Sequence, residues 1–426
     1  MLLIVSLPLH GCGGGGSSAA SAAPVENLAS GLQPPSANVT VVSQVELSTG
    51  TLALYSDGTA FLTNGDSQQL NANFGPTPIQ AIAAVAGGVQ AKLTNGDVFF
   101  SPDGLSLGGG GHSVKLPHMH TVTGNAQFGP RDSARGIDFA GQLWLSGGYF
   151  DATNSYFDIW YSPDNGLNWT MGFGSPTPQS APPADSYDAY SPIVSDGQNL
   201  YAIGSGVWKS ADGKAWTKIA DAGPERATDD SFGFYRNGLF TFFETNDGNL
   251  FNSTDGVEWS YFPGILPMKG RCGAVSIVAL DRFWLFGGGD CSYGGAFNDI
   301  WNSIDGVNWS PATAGNAVKN AEWSARMWPC ATTSDAGTIW LFGGYMPTNG
   351  QDLSDLWYSR DGLNWKQLTV AGLSSQNRHA PTCFIRTGSN TLLIVAGKGG
   401  ADADNDSASV TNTVTAIDLP IDSFLQ

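Results

Sequence analysis

The chain has 426 residues, of which 13% are charged, and its Lys+Arg 19 against Asp+Glu 37 leave a formal net charge of −18. So few cations argue against a nucleic-acid partner, because phosphates would find little to neutralise them. The 56 glycines, 41% hydrophobic content and 11% aromatic content exclude a helical bundle or a disordered chain, and point to an all-β protein of aromatic strands joined by Gly-rich turns.

Residues 2–9 form a short apolar run that ends in Leu9-His10-Gly11-Cys12. This stretch resembles a bacterial lipoprotein signal with its lipobox. The resemblance implies cleavage after residue 11, acylation of Cys12 and, with Gly13 rather than Asp next, an outer-membrane lipoprotein, periplasmic or surface-exposed. Residues 12–38 follow as a tether rich in Gly, Ser, Ala and Pro. As a flexible coil, about 26 residues span roughly 28 Å root-mean-square, enough to lift a domain off lipid headgroups. The remaining residues, 39–426, read as one domain, with no apolar run of 18 residues to span a membrane.

Two strand–Asx-Gly–strand hairpins come first, around Asp57-Gly58 and Asn95-Gly96. They resemble regulator-of-chromosome-condensation repeats and are expected to be divergent blades. Five stronger units follow: Ser162-Pro-Asp164-Asn-Gly166-Leu-Asn-Trp169, Ser210-Ala-Asp212-Gly213-Lys-Ala-Trp216, Ser253-Thr-Asp255-Gly256-Val-Glu-Trp259, Ser303-Ile-Asp305-Gly306-Val-Asn-Trp309 and Ser359-Arg-Asp361-Gly362-Leu-Asn-Trp365. A period near 50 residues is that of one four-stranded propeller blade. Asp-Gly favours a tight hairpin because the turn needs positive φ. An aromatic residue eight or nine positions before each Trp (Trp160, Trp208, Phe251, Trp301, Trp357) is expected to face it across adjacent strands.

Each unit also carries an upstream Arg, a β run and an aromatic strand, ending in Gly-Gly in the clearest cases, as in Phe283-Trp-Leu-Phe-Gly-Gly288. The whole unit resembles the kelch repeat, and Ser-x-Asp-Gly-x-x-Trp resembles the Asp-box of sialidases. Three strands at residues 383–386, 391–396 and 413–419 give a last unit. The count is eight, or seven if one hairpin joins a neighbour. Residues 39–47 are expected to complete the last blade and close the ring, which removes exposed sheet edges.

With Cys12 assigned to lipid, four cysteines remain for an oxidising compartment. Cys272 and Cys291 are equidistant from a turn expected at Asp281-Arg282 and should bridge one hairpin. Cys330 and Cys383 take similar places on successive inner strands, which leaves two readings, a bridge between blades or free buried thiols. No CxxC suggests a zinc or redox motif.

Arg135, Arg226, Arg271, Arg326 and Arg378 fall in one register at the start of the innermost strand. There they would either ring the channel mouth and take anionic groups by bidentate pairing, or pair internally with acids such as Asp132, Asp229, Asp230 and Glu322. Trp323 and Trp328 bracket Arg326 and have no role in the repeat. They are expected to form a stacking platform for a sugar or peptide, the alternative being packing of an irregular loop. His112, His118 and His120 cluster; a His-x-His strand points both rings to one face, but without a third ligand at a fixed spacing the segment reads as a solvated connector and no metal is assigned. Asp402, Asp404 and Asp406 resemble the opening of a calcium loop whose twelfth position is Thr413 instead of Glu.

No nucleophile or metalloprotease motif is present, and the sialidase Arg-Ile-Pro segment is missing. The leading expectation is a tethered, monomeric, extracytoplasmic propeller that binds a glycan or protein ligand at its channel mouth without catalysis. The alternative is a carbohydrate-active enzyme, a glycosidase or lyase, with carboxylates on separate blades.

Overall fold

The computed structural model describes residues 39–63, 69–72, 77–104, 114–182, 187–225, 227–228, 230–314, 317–399 and 410–425. Cys12, His112, Arg226, Asp229, Asp402, Asp404 and Asp406 lie outside them. The chain is almost wholly β, and its eight expected units are eight four-stranded antiparallel sheets.

Six of these sheets surround one channel. Their innermost strands are Arg135–Phe139, Ile193–Ser195, Ser231–Arg236, Arg271–Ala279, Cys330–Thr333 and Thr382–Ile385, and all six contribute to its lining. We call these sheets the first to sixth blades. The first two sheets of the chain, expected as divergent blades, stand apart from the ring, so the channel is lined by six blades rather than eight or seven. The first sheet (Val41–Leu47, Gly50–Tyr55, Ala60–Thr63, Gln69–Ala72) and the second (Ile79–Val85, Gly88–Leu93, Val98–Ser101, Val114–Leu116) share a core of Leu52, Leu54, Leu62, Ile79, Val89 and Leu93. The C-terminal tail bridges this pair to the ring: Gln90 Nε2 donates to the Leu419 carbonyl at 2.9 Å, and the Ile421 amide donates to Gln90 Oε1 at 2.8 Å.

Ring closure departs from expectation. Val41–Leu47 pairs within its own sheet, and His118–Thr123 is the strand that completes the sixth blade, antiparallel to Val414–Asp418. The closing strand is thus the one directly before the first blade, so the ring is built from a contiguous stretch and closed by its two ends.

In the Ser-x-Asp-Gly-x-x-Trp turns the Asp carboxylate accepts amides of its own turn. In the fourth blade Ser303 Oγ accepts the Gly306 amide at 2.9 Å, and Asp305 Oδ1 accepts the amides of Val307 and Asn308 at 2.9 and 2.7 Å. The Trp309 indole donates to the Gly306 carbonyl at 2.9 Å. This turn is longer than a two-residue hairpin. It therefore shifts the Trp off the position facing the upstream aromatic: Trp301 faces Pro311, while Trp309 packs edge-on against Phe243 of the preceding blade, with ring centroids 5.3 Å apart. Trp216, Trp309 and Trp365 each pack against an aromatic ring of the preceding blade, Phe173, Phe243 and Phe286 respectively. Gly362 shows why glycine is needed in the turn: its φ is +74°, and a Cβ would lie 2.4 Å from the Trp284 ring of the preceding blade.

Both bridges form. Cys272–Cys291 has a Cα–Cα distance of 5.1 Å, and Cys330–Cys383 joins the inner strands of the fifth and sixth blades across 5.6 Å. The fourth-blade turn falls at Leu280-Asp281, because Ala279 pairs with Arg282 and Cys272 with Gly289. Cys291 therefore lies two residues beyond the position facing Cys272.

Candidate functional site

Three blades carry the same buried ion pair. Arg131 holds Asp158 at 2.6 and 2.9 Å, Arg271 holds Asp299 at 2.7 and 2.7 Å, and Arg326 holds Asp355 at 2.6 and 2.8 Å. Each arginine also donates to a glycine carbonyl at the end of the second strand: Gly147, Gly287 or Gly343. Each carboxylate also accepts the indole N–H of the tryptophan two residues on: Trp160, Trp301 or Trp357. Burial would raise the Asp355 carboxyl, but the Arg326 hydrogen bonds and charge outweigh it and hold it below the usual range.

These contacts correct the expected cationic ring. Arg326 is fully buried and Arg271 nearly so, because a bidentate carboxylate pairs with the terminal nitrogens of each guanidinium inside the fold. The partners of Arg131, Arg271 and Arg326 are Asp158, Asp299 and Asp355, each some 27 to 29 residues further along the chain. Asp230 Oδ1 accepts the Gly273 amide at 2.6 Å, and Glu322 Oε2 accepts the Trp365 amide at 2.9 Å. In the first blade the member of this set is Arg131, four residues before Arg135. The signal that could have found it is Asp-x-Trp, present at Asp158-Ile-Trp160, Asp299-Ile-Trp301 and Asp355-Leu-Trp357.

The sixth blade departs from the scheme. Arg378 donates to the Ala396 carbonyl and Thr413 Oγ1, both at 3.1 Å, and to Gln376 Oε1 at 2.5 Å. Among the described residues no carboxylate meets it, and burial pulls its pKa down to about 10. Arg378 borders a polar cavity of about 410 Å³ with Thr121, Gln376, Thr411, Thr413 and Thr415.

The channel itself has a cavity volume of about 560 Å³. Arg135 is the cation among its described lining residues; it donates to the Thr228 carbonyl at 3.1 Å and lies over the Phe232 ring. Asp138 and Asp335 also line it, and both brace one loop: Asp138 Oδ2 accepts the Thr387 amide at 3.2 Å and Asp335 Oδ2 the Gly388 amide at 2.6 Å.

The two spare tryptophans have different fates. Trp323 is 1% exposed and packs edge-on against Trp365 in the core between the fourth and fifth blades. It cannot serve as an exposed platform, because its ring fills the space left by the irregular loop. Trp328 is half-buried and lines the channel. Its backbone, at φ +49°, accepts the Ala380 amide at 2.8 Å. Its ring sits 5.5 Å from Tyr293, 5.6 Å from His379 and 6.3 Å from Tyr345. His379 Nδ1 lies 2.6 Å from Asp352 Oδ1, which fixes that imidazole. Tyr293 is 55% exposed. The sequence offered no repeat signal for Tyr293 or Asp352, whereas Tyr345 follows Gly343-Gly344 as Tyr149 follows Gly147-Gly148.

The model of the DUF6242 beta propeller domain matches residues 120–415. Among solved structures, one titled "Structure of YjhT" aligns at 15% identity, covering 69% of this chain and 97% of that chain, with a TM-score of 0.48. No curated protein sequence matches significantly.

Proposed function

The chain belongs to the DUF6242 beta propeller domain family, and on that premise we propose that it is a non-catalytic binding module that takes a glycan at its channel mouth. The observation that carries this reading is the Trp328–Tyr293–His379–Tyr345 cluster beside a 560 Å³ channel. A half-buried indole beside the exposed Tyr293 offers a sugar ring an apolar face and a hydrogen-bonding edge. Arg135 adds a cation for acidic sugars. The channel carboxylates Asp138 and Asp335 each hold a backbone amide of the loop at residues 387–388, which favours binding over hydrolysis.

In this reading the five wired turns are Asp-boxes serving structure, on kelch-like blades. Residues 1–38 supply a lipid anchor at Cys12 and a tether that presents the mouth outside the cytoplasm. No helix among the described residues is long and apolar enough to cross a membrane.

A glycan array with purified protein tests the site. Trp328→Ala and Arg135→Ala should abolish or weaken the signal while thermal unfolding stays close to wild type. Trp323→Ala should lower stability by about 3–5 kcal/mol and leave the affinity of the folded fraction intact. Equal binding by wild type and Trp328→Ala would remove the mouth as the site, and capture of protein ligands alone would replace the glycan.

A further inference from the structure

We propose that His118, His120 and Asp418 form a binding site for a divalent transition-metal ion, with zinc the best match, that staples the closing strand of the ring. His118 and His120 lie on His118–Thr123, the outermost strand of the sixth blade, and Asp418 ends the adjacent strand Val414–Asp418. His118 faces Asp418 directly across the ladder and His120 faces Ala416. Alternation along the strand therefore puts both imidazoles on the face that carries the carboxylate.

Two of the separations approach those of a coordination polyhedron. Asp418 Oδ2 is 3.7 Å from His118 Nδ1 and 3.5 Å from His120 Nδ1. These distances are too long for good hydrogen bonds, which fall at about 2.7–3.2 Å. Zinc–ligand lengths of about 2.0–2.2 Å place tetrahedral ligands about 3.3–3.5 Å apart. The potential donor atoms of the three side chains all lie within 4.8 Å of one another. The two rings are nearly parallel, 23° apart, with centroids at 5.6 Å, so modest rotation of two part-exposed side chains brings both nitrogens onto one ion.

The carboxylate is already oriented for this. Thr391 Oγ1 donates to Asp418 Oδ1 at 2.9 Å and leaves Oδ2 directed at the histidines, the outer-shell support that metal-binding carboxylates use. Two imidazoles and one carboxylate suit zinc, and also cobalt, nickel or copper, better than calcium or magnesium. A fourth position remains for water. The ion would tie the strand entering the first blade to the strand leaving the last, and it would stabilise the ring because the site exists only when the ring is closed.

Tag-free, chelator-treated protein titrated with Co²⁺ should develop the visible absorption of a tetrahedral nitrogen–oxygen site at one equivalent, and Zn²⁺ should displace it. Zn²⁺ should raise the melting temperature of wild type. His118→Ala, His120→Ala and Asp418→Asn should each weaken the Co²⁺ affinity at least about tenfold, and Thr391→Val should weaken it by about 10–100-fold. X-ray absorption of the zinc-loaded wild type gives a readout independent of any variant: two imidazoles and a carboxylate oxygen are expected. Absence of the cobalt spectrum in wild type, undiminished affinity in both histidine variants, or a ligand shell without imidazole would each overturn the site. None of these outcomes bears on the channel mouth, which lies on the innermost strands.

Discussion

Arg326 and Asp355 meet through two parallel hydrogen bonds, with the guanidinium fully buried and the carboxylate also accepting the Trp357 indole. The Arg326 carbonyl meanwhile accepts the Gly288 amide of the preceding blade at 2.8 Å. One residue thus anchors its own blade through its side chain and its neighbour through its backbone. Arg326→Ala should destabilise the protein by about 3–5 kcal/mol, because it strands a buried carboxylate. Adding Asp355→Leu to Arg326→Met should recover much of that loss. Urea unfolding of the two single variants and the double variant measures the coupling, and additive losses would refute it.

Arg378 should behave differently, since no described carboxylate depends on it. Arg378→Met should cost only about 1–3 kcal/mol, the penalty for leaving the Ala396 carbonyl without its donor. Its folded pKa, about 10, lies below the ordinary 12.5. The buried charge therefore costs stability at lower pH, and the cost is relieved as pH rises through 10. Wild type should gain on Arg378→Met between pH 10 and 12 in urea titrations; a constant gap across that range would contradict the assignment.

Acid should loosen the wired turns. Burial would raise the Asp305 carboxyl, but the amides of Asn308 and Val307, the Asn308 side chain and the Ser303 hydroxyl outweigh it and bring it to about 2. A depressed carboxylate pKa contributes stability that is present above the unfolded value of 3.8 and lost as pH falls toward 2. The melting-temperature advantage of wild type over Asp305→Asn should be full at pH 6 and vanish near pH 2. An advantage that persists at pH 2 would mean that charge has no part in the turn.

The two disulfides should differ in worth. The Cys330–Cys383 bridge closes a 53-residue separation and Cys272–Cys291 one of 19, so chain entropy assigns about 4 and about 3 kcal/mol respectively. Cys330→Ser with Cys383→Ser should therefore lower stability more than the Cys272→Ser, Cys291→Ser pair. The reverse order in urea unfolding would show that the inter-blade bridge adds little to a ring already closed by strand pairing.

Much of the fold was legible because its signals are local. A Ser-x-Asp-Gly-x-x-Trp turn satisfies its own amides, so its residues stand at fixed offsets and can be counted. The arginines were harder. Arg135 opens the first inner strand and Arg131 lies four residues before it, and only the packed blade shows that Arg131 reaches Asp158, 27 residues away. Trp323 and Trp328 look alike in sequence, yet one fills a core and the other lines the channel, because burial depends on which neighbours close over a loop. His118-x-His120 offered two ligands, and the third, Asp418, lies some 300 residues further along the chain.

Composition, turn chemistry and repeat spacing by themselves determined an all-β chain of repeated four-stranded units, since each rests on contacts within a hairpin; they left the count at eight or seven and the pairing of Cys330 with Cys383 open. Only the tertiary structure decided that six sheets form the ring, that His118–Thr123 closes it, and which arginine keeps a carboxylate. Those outcomes depend on contacts between segments far apart in the chain, and such contacts leave no fixed spacing to read.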